Sequence, residues 1–270
     1  MRWSRMVTLW LGLATVAQAQ GVAGAAISKE RVTFTSGDFA LVGYLFRPDR
    51  TGPLPAVLWN HGSEKNPDRG PQFDAVAEIF VPAGYVVFAP VRRGHGDSGG
   101  PYIESQRQGS QSGALQVSLL EAQVEDQLAG LALLKGLPYV DRGRIAVAGC
   151  SYGGIQALLG AERGAGYRAA VAISPGALSW DRNPVLQRRL MLAAERIEIP
   201  VFLLQPPRDG SLAPARVLGP ELERRNKLSR AEIYPDTIAP NLQAHCFRGV
   251  RSGGHIWAKD ALDFLAEALR

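Results

Sequence analysis

The chain has 270 residues, 46% hydrophobic and 20% charged, with 30 lysines and arginines against 25 acidic residues for a net charge of +5. Its basic residues are scattered in runs no longer than two and carry no interleaved aromatics, which argues against a nucleic-acid surface. It shows no internal repeat, low-complexity tract or composition break, so a single globular domain of ordinary size accounts for it.

The N-terminus opens on Arg2 and Arg5, runs through an apolar stretch from Met6 to Val16, and reaches Ala17-Gln18-Ala19. This is the pattern of a secretory signal peptide over residues 1–19, cut before Gln20 and leaving one catalytic domain over 20–270. The apolar part is too short to span a bilayer, and no later segment approaches the roughly 18–20 apolar residues of a transmembrane helix. The expected location is therefore periplasmic or extracellular, with no membrane association. Two cysteines in an exported chain predict one disulfide, with free buried thiols as the alternative.

From residue 31 to 46 the chain alternates in polarity and is interrupted at Ser36-Gly37-Asp38, which predicts a β-hairpin. Buried strands follow at 55–60 and 84–90, separated by helical spacing over 73–81. An amphipathic helix is expected over 117–134, a strand at 144–148, a helix over 152–162 and strands at 168–173 and 200–205. The chain then predicts a helix over 214–228, a strand at 231–234 and a last helix from about 258 to the end. The stretch 174–198 is the one sizeable insertion and is too short for a large lid. Short apolar runs alternating with helices give an α/β class with a mainly parallel sheet covered on both faces. Chemistry in such sheets sits at the C-terminal strand ends.

At one such end stands Gly149-Cys150-Ser151-Tyr152-Gly153, a G-x-S-x-G pattern between an apolar strand and a helix. The sharp turn lifts the central side chain above the sheet, and a Cβ at either glycine would crowd it, so Ser151 reads as a nucleophile. A serine hydroxyl needs a base and a group to orient that base, in the chain order Ser, acid, His. Asp209 follows the strand at 200–205 by four residues and is the preferred acid, ahead of Asp181 and Asp236. Only His245 and His255 follow Ser151, and spacing alone does not separate them: His255 comes just before the expected last helix, after a flexible-looking Gly253-Gly254. The cysteines favour His245. Cys150 adjoins Ser151 and Cys246 adjoins His245, so a Ser–His pair would bring the two thiols to disulfide distance.

These motifs, with Trp59-Asn60-His61-Gly62-Ser63, the segment Ala89 to Ser98, Gln205 followed by Asp209, Tyr234-Pro235, His245-Cys246-Phe247 and Trp257, resemble the dienelactone hydrolase branch of the α/β-hydrolases. The resemblance runs from about Val32 to the end and implies the α/β-hydrolase fold. Ser151 stands where many members carry a nucleophilic cysteine. The Cys-Ser, Asp, His-Cys set is also similar to that of tannases and feruloyl esterases.

The oxyanion hole is expected from the backbone N–H groups of Ser63 and Tyr152. His61 and His95 read as structural residues of turns, the latter in a glycine-rich loop that matches no phosphate-binding fingerprint. Tyr102 and Trp180 are aromatic candidates for substrate contact, with packing the commoner fate, and the polar stretch 98–113 is placed beside the cleft. The expected function is hydrolysis of small carboxylic esters through Ser151, His245 and Asp209, with no cofactor or metal. A serine peptidase on the same triad and a non-catalytic ligand-binding scaffold are the rival readings.

Overall fold

The computed structural model describes residues 27–110 and 112–270, so the expected signal peptide lies outside the described residues. Eight strands, β1 (Ser28–Ser36), β2 (Phe39–Arg47), β3 (Leu54–Asn60), β4 (Val86–Val91), β5 (Val140–Cys150), β6 (Ala169–Ile173), β7 (Val201–Gln205) and β8 (Arg230–Ile233), form one sheet. Its order is β1-β2-β4-β3-β5-β6-β7-β8. The β1–β2 hairpin is antiparallel and docks antiparallel on β4, while β4 through β8 run parallel. This is the α/β-hydrolase fold expected from the sequence.

Strand alternation splits the apolar residues between two cores. Leu58, Phe88, Val147, Ala172 and Leu203 face α3 (Gly113–Gly136), α4 (Tyr152–Glu162), α5 (Pro184–Arg196) and α6 (Ala213–Arg225). Trp59, Val87, Ala148, Val171 and Phe202 face α1 (Gln72–Phe80) and α7 (Val250–Ala268) on the other side. Trp59 stacks on Trp257, centroids 6.3 Å apart, and ties β3 to α7. A short α2 (Ile103–Arg107) falls in the polar stretch 98–113. No helix among the described residues is long and apolar enough to cross a membrane.

One boundary differs in a way that matters. The last helix begins at Val250, not near residue 258, so Gly253 and Gly254 lie inside it and His255 sits on its exposed face. A Cβ on Gly253 would collide with the Phe247 backbone and side chain, and one on Gly254 would press on Ile79. These glycines let α7 pack closely; they do not form a flexible loop.

Candidate active site

Ser151 joins the end of β5 to α4 with φ 60° and ψ −118°, a backbone conformation that costs a non-glycine residue roughly 1–3 kcal/mol. Its N–H donates to the Ile173 carbonyl at 3.0 Å and its carbonyl accepts from Ile155 at 3.0 Å, which anchors the turn at both ends. A Cβ on Gly149 would strike the Gly153 carbonyl, and one on Gly153 would strike that of Asn60. The glycines are thus required by close backbone approach. Ser151 and His245 line the same cavity of about 240 Å³, together with Gly62, Ser63, Leu178 and Cys246.

Asp209 lies four residues past β7 with a fully buried carboxylate. Its Oδ1 accepts from His245 Nδ1 at 2.6 Å and from the Gly210 N–H at 2.8 Å, and its Oδ2 accepts from Gln205 Nε2 at 3.1 Å. Burial pushes this carboxyl up, but the His245 hydrogen bond and charge, with hydrogen bonds from Ser174 and Gln205, hold it below the ordinary aspartate value. Because Nδ1–H donates to the carboxylate, Nε2 of His245 keeps its lone pair. That nitrogen is buried with no hydrogen-bond partner among the described residues.

His245 opens a tight turn whose next three residues, Cys246, Phe247 and Arg248, all have φ between 53° and 56°. Three successive left-handed non-glycine residues need outside support. Cys246 is disulfide-bonded to Cys150, with 6.1 Å between Cα atoms, and its N–H donates to Ser174 Oγ at 3.3 Å. Phe247 is buried edge-on against Tyr234 at 5.3 Å, and Arg248 Nε donates to the Asn241 carbonyl at 2.6 Å. The rival residues are engaged elsewhere. Asp236 pairs with Arg208 at 2.5 Å, Asp181 accepts from Ser211 at 3.0 Å, and His255 lies outside the cavity.

Ser63 lines the cavity, and Tyr152 begins α4, where helix geometry leaves the first N–H groups without intrahelical partners. The Tyr152 side chain turns away, accepting from Gln116 Nε2 at 2.7 Å and donating to Glu104 at 3.3 Å. The 61–63 loop is held by Arg92, which is fully buried and donates to the carbonyls of His61 at 2.7 Å and Gly62 at 2.5 Å and to Gln123 at 3.2 Å. Burial lowers this guanidinium to about 10, still a cation at neutral pH. His61 Nδ1–H donates to the Gly62 carbonyl and Nε2 accepts from the Arg92 N–H, so the ring is neutral and structural. His95 packs edge-on between His61 and Tyr102 at 4.9 and 5.0 Å. Trp180 is buried in the core and Tyr102 bonds the Ser63 carbonyl at 3.3 Å, so both are packed aromatics.

In the sequence, Gln205 and the segment holding Arg92 stand out only as motifs of the resemblance, with no role in the site, and Ser174 and the polar face of α3 are not singled out at all. For α3 the visible signal is that Gln116, Gln123, Asp126 and Gln127 occupy the face that should be apolar, and all four are buried. Among the described residues no group of three or more His, Cys, Asp or Glu is placed to hold a metal ion.

The family model described as X-Pro dipeptidyl-peptidase (S15 family) matches residues 38–210, which carry the elbow, the 61–63 loop and Asp209. The chain belongs to the X-Pro dipeptidyl-peptidase (S15) family. This S15-family chain is 28% identical over 164 residues to the quorum-quenching protein AidA of Acinetobacter baumannii (strain MDR-ZJ06), a match covering 59% of the chain and 49% of that protein. It thus spans about half the length of the curated relative it matches. Among solved structures it is similar to the Pyrococcus furiosus esterase Pf2001, at 22% identity and a TM-score of 0.68, covering 90% of this chain and 94% of that one. It is also similar to the dienelactone hydrolase-like promiscuous phosphotriesterase P91 from metagenomic libraries, at 19% identity and a TM-score of 0.67, covering 92% and 100%. These two likenesses are of fold. The dienelactone hydrolase resemblance of the sequence is shared at that level, while the family whose model matches is S15.

Proposed function

We propose that the protein is an exported serine hydrolase of small carboxylic esters, a dienelactone hydrolase-like enzyme with serine as its nucleophile. Ser151 attacks the acyl carbon, His245 Nε2 takes its proton and later returns it to the leaving alcohol, and Asp209 holds the imidazole in the required tautomer. The N–H groups of Ser63 and Tyr152 face the developing alkoxide, and water resolves the acyl-enzyme. One observation carries the reading: a strained serine and the acceptor nitrogen of an aspartate-anchored histidine share one cavity. A disulfide beside the nucleophile suits an oxidising compartment, which supports export.

The family's peptidase description favours a second reading, cleavage of X-Pro peptides on the same triad. Recognition of a peptide N-terminus calls for anionic partners, and Glu64 is the one carboxylate among the residues lining the cavity. The experiment is hydrolysis of p-nitrophenyl acetate and butyrate beside X-Pro p-nitroanilides, by the native protein and Ser151→Ala. Ester turnover that falls at least about a thousandfold in the variant supports the proposal. Ester hydrolysis that survives it removes the nucleophile, and exclusive turnover of the anilides makes the protein a peptidase.

A further inference from the structure

A second cavity, of about 230 Å³, is lined by Arg107, Gln116, Ser179, Arg182 and Asn183. It has no lining residue in common with the Ser151 cavity but is linked to it through neighbours: Ser179 follows Leu178, which lines the Ser151 cavity, and Gln116 bonds the hydroxyl of Tyr152, the residue after Ser151. The polar groups of this second cavity are arranged with one sense. Asn183 Oδ1 is consumed by the Leu186 N–H at 2.9 Å, where it caps α5, and Gln116 Oε1 is consumed by Asn183 Nδ2 at 3.0 Å. Each amide oxygen already accepts one bond, and each amide nitrogen makes one bond while carrying two hydrogens, so both amides keep a donor.

The charges point the same way. Arg182 has no carboxylate partner among the described residues and donates only to the Leu178 carbonyl at 3.0 Å. Arg107 pairs with Glu104 at 3.1 Å and bonds the Ser110 carbonyl, yet its Nε–H is buried without a partner. Glu104 is occupied by Arg107 and the Tyr152 hydroxyl, and Asp181 by Ser211. Two guanidinium groups, one carboxylate and spare amide donors leave a net positive site rich in donors, and the Ser179 hydroxyl on its wall can donate as well. A planar anion with two oxygens is the ligand such donors fit.

We infer that this cavity is an anion subsite that takes a carboxylate of the substrate, so that the preferred esters are acidic ones. The inference rests on the ester-hydrolase reading, and Tyr152 links the two cavities: its backbone faces the acyl oxygen and its hydroxyl belongs to the network of the subsite. The carboxylate is either on the acyl group or on the leaving group.

The test compares p-nitrophenyl hydrogen glutarate with p-nitrophenyl butyrate for the acyl side, and 3-acetoxybenzoate with its methyl ester for the leaving side. One acidic ester of the two pairs is expected to show a kcat/KM about tenfold above its neutral partner, through KM and less so at high salt. Arg182→Gln should lower that ratio about tenfold, Arg182→Lys restore part of it and Arg182→Glu reverse it. Titration of Ser151→Ala protein with glutarate and with 3-hydroxybenzoate, followed by calorimetry, reads the subsite without turnover. Binding of either that Arg182→Gln weakens supports the inference even where esters prove not to be substrates. Equal kcat/KM within both pairs, or an acidic preference that survives Arg182→Glu, overturns it, as does calorimetric binding indifferent to Arg182.

Discussion

His61 and His95 are two of the four histidines, and their chemistry is one of burial. Desolvation holds His61 well below the ordinary histidine value and lowers His95 to about 4, with Arg92 adding to both. An unfolded chain protonates these rings from about pH 6.5 downward, whereas the folded protein leaves His95 neutral until near 4. The unfolded state therefore binds more protons across that window. Stability is full above about pH 6.5 and is lost as pH falls toward 4, by roughly 3 kcal/mol from His95. Urea midpoints at pH 7.5 and pH 5 should show this fall, and His95→Asn, which keeps a donor for the Arg93 carbonyl, should reduce it and leave the part due to His61. An unchanged slope would remove the burial account. The other two histidines differ in placement: His245 is held by Asp209, and His255 is exposed on α7. His245→Ala is expected to cost at least about a thousandfold in kcat for p-nitrophenyl butyrate, and His255→Ala less than about twofold. A dead His255 variant would reverse the assignment of the base.

At the scale of elements, α3 explains what an amphipathic reading missed. Its buried face is apolar at Leu120, Val124, Leu131 and Leu134, but Gln116, Gln123, Asp126 and Gln127 share that face. They meet polar groups at the strand ends: Asp126 receives the Arg93 guanidinium and N–H, Gln123 receives Arg92, and Gln127 receives Asn60 at 2.6 Å. The helix is thus a template for the loops after β3 and β4. Arg92 is the joint between them, since its fork reaches two successive carbonyls that a lysine could not bridge. Arg92→Met should destabilise the protein by at least about 2 kcal/mol, because buried carbonyls lose their donors. It should also lower kcat for p-nitrophenyl butyrate about tenfold with little change in KM, because the loop carrying Ser63 loses its anchor. Loss of stability with kcat untouched would make Arg92 a purely structural residue.

Across the whole molecule, the disulfide closes a separation of 96 residues and joins the turn of Ser151 to the turn of His245. A disulfide typically contributes about 2–4 kcal/mol, and a loop this long lies at the upper end or above, so reduction should lower Tm by roughly 5–15 °C. Because Cys246 also supports three left-handed residues, kcat is expected to drop under reductant at temperatures where the protein is still folded. Paired melting and rate measurements with and without reductant check both, and an unchanged Tm and kcat would deny the bond any role. The sheet, its two covered faces and the elbow were legible in the sequence because apolar periodicity and the G-x-S-x-G turn are local patterns, imposed by geometry within a few residues. The start of α7 was not, because Gly253 and Gly254 read as chain-breakers until Phe247 and Ile79 are seen packed against them. Of the site, the sequence by itself singled out the G-x-S-x-G turn at Ser151 and, through the cysteines beside Ser151 and His245, favoured His245 over His255. Only the tertiary structure sets His245 against Asp209, 36 residues away, with Ser174 beside them and with Arg92 and α3 holding the 61–63 loop. Buried polar groups are placed by convergence of separate strand ends, and each must find a partner there, a constraint that no single stretch of sequence carries.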